Sequence, residues 1–98
     1  MFDRVLRRMR KLVRDSHYVM TLHGHEAMED DDLTIFDVER CFLTGRISKR
    51  QRDRHTGEWK YVVRGEAVGG DDIVAVAKIG SSGRLVVVTV YLLADEAR

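Results

Sequence analysis

The 98-residue sequence has no proline, a single cysteine and a single tryptophan. No proline-rich spacer, internal repeat or low-complexity linker divides it, so the chain reads as one small domain with one core, residues 1–98. Cys41 alone excludes an intrachain disulfide, which fits a reducing compartment. One cysteine and four scattered histidines cannot make a zinc set unless carboxylates join them. The longest apolar run, Leu85 to Ala94, is broken by Thr89 and is far too short to cross a bilayer as a helix. The N-terminus is basic but amphipathic, unlike the continuous apolar stretch of a signal peptide. Cytoplasmic localisation without membrane contact is the expectation. No glycine-rich phosphate loop leads into a helix, since Gly65 to Gly70 is followed by a strand pattern. No nucleophile elbow surrounds Ser48, Ser81 or Ser82. These absences argue against nucleotide-dependent enzymes and serine hydrolases.

Formal net charge is only +1, so the overall balance says nothing about partners; its distribution says more. Arg4, Arg7, Arg8, Arg10, Lys11 and Arg14 stand together without an acid. Glu26, Glu29, Asp30, Asp31, Asp32, Asp37 and Glu39 follow without a base. Arg46, Lys49, Arg50, Arg52, Arg54, Lys60 and Arg64 make the chain basic again. Such blocks are either solvated faces or local binding surfaces.

Periodicity divides the chain into helices and then strands. Phe2, Val5, Leu6, Met9, Leu12 and Val13 recur at helical spacing, which predicts an amphipathic basic helix over residues 1–15. His17 to Met20 reads as a short connection that can be extended. Thr21 is an N-cap for a second helix reaching Asp30, where clustered acids oppose the helix dipole and favour a stop. Thr34 with Asp37 is a capping-box variant opening a third helix, and Gly45 is expected to close it in the left-handed region. From Arg46 the period becomes two. Strands are predicted over Arg46–Arg54, Trp59–Arg64, Ile73–Ile79 and Leu85–Leu93, with a hairpin turn at His55-Thr56-Gly57. The last two are apolar on both faces, so they are expected to be central and covered on both sides. The first is charged, as guarded edges are. The fold class is therefore α+β: three N-terminal helices packed on a four-stranded, mainly antiparallel sheet.

Candidate chemistry is sparse. His23 and His25, two residues apart, cannot share a helix face, so one should point to the sheet and the other to solvent. A histidine beside a basic sheet face suits general acid/base work near neutral pH; a helix-start histidine bonded to backbone is the plain alternative. Lys78 is the sole charge in an apolar strand, so it must sit at the wet end, pair with an acid or line a cleft. With Lys60 and Arg64 it would make a phosphate clamp stabilising a pentacoordinate phosphate without metal or cofactor. Cross-strand pairing with Glu58 or Glu66 would explain the same residues. Tyr91 adds a hydroxyl to that face, or is a core aromatic with its OH at the rim. Trp59, near Arg50, Arg52 and Arg54, offers a base-stacking surface or a core residue.

Ordered segments carry a family resemblance: Tyr18 to His23, Met28, Asp31 to Leu33, Asp37 to Glu39, and Leu43 to Ile47. Gln51 to Arg54, Tyr61 to Gly65, Val74 to Lys78 and Leu85 to Tyr91 continue it. Over residues 17–92 the chain resembles the bacterial family called domain of unknown function DUF4258, leaving the first helix outside. That family is similar in fold to RelE-type toxins. The resemblance implies a toxin of a toxin–antitoxin pair cleaving mRNA without metal, with RNA or the ribosome and a small antitoxin protein as partners. His23 matches the family's histidine, Thr89 and Tyr91 its late-strand signature. In that reading His23 is the acid/base, Arg64 and Lys78 hold phosphate, Tyr91 orients or transfers a proton, and Arg50, Arg52, Arg54 and Lys60 contact RNA. Two positions depart from the pattern: Gly24 replaces a usual alanine and Ala27 a frequent glutamate. A non-catalytic protein- or RNA-binding module is the alternative, and a homodimer through the first helix a further expectation.

Overall fold

The computed structural model describes residues 1–93. Three helices, α1 (Asp3–Arg14), α2 (Leu22–Asp30) and α3 (Ile35–Thr44), accompany five strands. These are β1 (Tyr18–Met20), β2 (Arg46–Arg52), β3 (Trp59–Glu66), β4 (Asp72–Ile79) and β5 (Leu85–Leu92). They form one sheet in the order β1-β5-β4-β3-β2. The sheet thus has five strands rather than the four expected, and the helices do not all precede it. The segment taken as a connection is β1, which pairs parallel to β5 through Tyr18↔Leu85, Val19↔Val86 and Met20↔Val87. The other pairings are antiparallel.

The helix ends follow from local chemistry. Thr34 and Asp37 form the reciprocal capping box, and the Thr21 hydroxyl accepts from the Gly24 N–H at 2.9 Å. α1 and α2 both stop in six-to-one backbone closures, His17 N–H to Leu12 C=O and Leu33 N–H to Met28 C=O. The left-handed positions belong to Ser16 (φ 56°) and Asp32 (φ 53°), not to glycine. Gly45, expected to be left-handed, is extended at φ −89° and ψ −178°. Its requirement is space: a Cβ there would lie 2.5 Å from the carbonyl oxygens of both Arg64 and Cys41. Arg10 donates to the Phe42 and Gly45 carbonyls at 2.9 and 2.8 Å, satisfying the α3 C-terminus with a cation from α1.

The core lies on one face of the sheet. Met9 and Val13 of α1 and Val38, Cys41 and Phe42 of α3 pack with Val63, Ile73, Ala75, Ala77, Leu85, Val87 and Val90. Each large side chain buried there contributes about 1.5–3 kcal/mol. Small residues let α3 approach: a Cβ at Gly65 would sit 2.2 Å from the Cys41 carbonyl oxygen. Burial pushes the Cys41 thiol up to about 12, which leaves it a packing group.

The opposite face carries Val62, Val74 and Val76, none of which joins the helix-packed cluster. β4 and β5 are central, as expected, but helices cover only one of their faces. No helix among the described residues is long and apolar enough to cross a membrane.

Candidate functional site

Cross-strand partners share a face, so the register maps the side of the sheet turned away from the core. Its first row runs Arg46, Arg64, Val74, Tyr91 across β2, β3, β4 and β5. The next runs Lys49, Val62, Val76, Thr89. Towards the β2–β3 hairpin follow Gln51 with Lys60, and Lys78 with Val86 and Val19. The result is a valine floor among cations, with Tyr91 42% exposed at one rim. Val62 and Val74 are buried without a helix above them, which matches shielding by the long stems of flanking charged residues.

Two bulges set this map. In β2 the register shifts at Ser48, whose hydroxyl donates to the Val62 carbonyl at 3.2 Å. Plain alternation from Arg46 would put Arg50 and Arg52 on the open face. The shift puts Lys49 and Gln51 there and turns Arg50 and Arg52 to the other side, with Tyr61 and Trp59. The Arg50 and Arg52 guanidinium carbons lie 4.0 and 4.9 Å from the Trp59 ring centroid. Phe2 meets Tyr61 edge-on, ring centroids 6.0 Å apart, so the start of α1 adjoins this cluster. In β5 the shift leaves Val88 unpaired with β4, and its carbonyl accepts from the Thr21 hydroxyl at 3.0 Å.

That bond anchors α2 beside β5. Thr21 holds one end through Val87 and Val88; at the other, Asp31 accepts from the Leu92 N–H at 2.8 Å. Gly24 is tight against the strand: a Cβ there would lie 2.9 Å from the Val87 carbonyl oxygen. Met28 packs against the core. By helical phase His23 and Ala27 then fall away from the Met28 side of the helix. His23 and His25 are both exposed, so neither is directed into the sheet as spacing suggested.

The other sequence-predicted residues occupy the open face without converging. Lys78 donates to Glu58 at 2.8 Å, and this bond holds the Glu58 carboxyl below its usual range. Lys60 lies 3.6 Å from Asp53. The Asp53 carboxyl is lowered chiefly by the His55 and Thr56 backbone N–H groups it caps. Arg64 reaches Asp72 at 3.4 Å. Arg64 stands opposite Val74, four residues from Lys78 along β4, so the two are about 13 Å apart at strand rise. Arg54 is exposed in the hairpin.

Sequence reasoning does not single out Arg46 and Lys49 as site residues. The signal exists in the alternation of β2, but the bulge at Ser48 inverts its phase midway. Arg46, Arg64, Thr44, Ser48, Glu66 and Asp72 line an open groove of about 420 Å³, in which Arg64 pairs with Asp72. Among the described residues no group of three or more His, Cys, Asp or Glu is placed to hold a metal ion.

The family model described as Domain of unknown function (DUF4258) matches residues 20–92, from the end of β1 to the end of β5. No curated protein and no solved structure gives a significant match to the chain.

Proposed function

The chain belongs to the DUF4258 family, and from that premise we propose that it is a non-catalytic RNA-binding module. The open sheet face carries the reading. Arg46, Arg64, Lys49, Lys60 and Lys78 surround a valine floor on which no helix packs. Spaced cations over a flat apolar surface follow a phosphate backbone. A phosphate clamp needs its cations to reach the same phosphate. Arg64 and Lys78 stand far apart, and each faces a carboxylate of its own.

A second reading is the RelE-like, metal-independent endoribonuclease of a toxin–antitoxin pair. It draws on one observation, that Arg46, Arg64 and Tyr91 share a row of the open face.

Fluorescence anisotropy with single-stranded RNA across a salt series tests the first reading. The logarithm of affinity should fall with the logarithm of salt by about 0.7 per phosphate contacted. Lys49→Gln and Lys60→Gln should each flatten that slope. Absence of salt-sensitive binding overturns the module. RNA cleavage by the wild type, lost in His23→Ala, replaces it with the enzyme.

A further inference from the structure

We propose that the outer edge of β2 receives an extended acidic peptide as a sixth strand of the sheet. β2 ends the strand order, and among the described residues its only strand partner is β3. Over seven residues, Arg46–Arg52, it therefore presents its outward N–H and C=O groups to solvent. At strand rise that is a ladder of roughly 23 Å. A peptide laid along it gains main-chain hydrogen bonds, and side-chain chemistry selects which peptide.

That selection is readable. Arg46 and Lys49 face the open side of the sheet, and Arg50 and Arg52 the helix side. The strand contains no acid, and all four of these cations are exposed. The bulge at Ser48 divides the cations between both faces; unbroken alternation would place Arg46, Arg50 and Arg52 on one. A complementary strand must be acidic on both faces. A second copy of β2 is rejected, because equally basic strands would repel along their whole length. Arg50 and Arg52 rest on Trp59, which reduces the side-chain freedom they lose on binding. The proposal concerns the edge of β2, whereas RNA is assigned to the face of the sheet; the two share Arg46 and Lys49.

Titration of the full chain with three synthetic peptides, read by amide hydrogen exchange and anisotropy, tests it. The first peptide is glutamate-rich and acidic on both faces when extended. The second has the same sequence with alternate residues N-methylated on the bonding edge. In the third, glutamine replaces glutamate. The first should bind and slow exchange within residues 46–52; the other two should bind roughly tenfold more weakly or worse. Arg50→Glu should weaken the acidic peptide while leaving the circular dichroism of the fold unchanged. Equal binding of the N-methylated peptide would reduce the effect to charge attraction and overturn the proposal. So would protection confined to α1 or the open face. Loss of RNA binding with peptide binding intact would remove the function above and leave this inference standing.

Discussion

The two faces of the sheet are built from similar residues and do different things. On the helix side Val63, Ala75, Ala77, Val87 and Val90 are small and fully buried, and Phe42 fills the space they leave. On the open side Val62, Val74 and Val76 repeat the same alternation, yet none of them joins the helix-packed cluster, although Val62 and Val74 are buried. The difference is one of neighbours rather than strand composition. Helices descend on the face where glycine and alanine admit their backbones, and Gly65 under Cys41 is the closest such approach. The face without that clearance carries no helix among the described residues.

The comparison breaks first at Phe42. Phe42→Ala should cost about 3–5 kcal/mol in denaturant unfolding, because the cavity lies between α3 and the sheet. Val74→Ala, at 4% exposure on the open face, should cost only about 1–2 kcal/mol, since side chains there can settle into the space. Equal losses would mean that the open face is packed as rigidly as the core. Next comes Thr21→Val, which removes both the α2 cap and the bond to Val88; a loss of about 1–2 kcal/mol by thermal unfolding is expected.

Asp37→Asn is smaller and carries a pH signature. Backbone bonding at Thr34, then at Val68, holds the Asp37 carboxyl below its usual value. Its contribution is therefore complete above the ordinary carboxylate range and fades as pH falls below about 4 through the lowered value. The wild type should lose more stability than Asp37→Asn across that acid window. Lys78→Met, on the open face, should change stability least, within about 0.5 kcal/mol, while flattening the salt dependence of RNA binding.

Much of this fold was legible from residues. The caps at Thr21 and Thr34, the hairpin turn at Gly57 and the guarded edge of β2 depend on local chemistry, and the sequence carries it openly. β1 was not legible, because its three residues gain strand character only from Leu85 to Val87, far along the chain. The ends of α1 and α2 were legible to within a residue or two, but not that non-glycine residues, Ser16 and Asp32, would take the left-handed turns there. The candidate site suffered most from the bulges. A one-residue slip moves Arg50 and Arg52 off the face that holds Lys60, a change no periodicity before the slip foretells. The pairing of Lys78 with Glu58 was anticipated as the plain alternative to a phosphate clamp, and the geometry has it.

The anchoring of α2 along β5 also governs valency. Beyond Met20, Thr21 and Asp31 occupy backbone groups of β5 that another strand would need, and β1 itself offers only three residues. Strand addition at β2 has no counterpart of similar length on the opposite edge. Assembly by this route stops at one-to-one stoichiometry, giving a terminator rather than a monomer of an open-ended fibre.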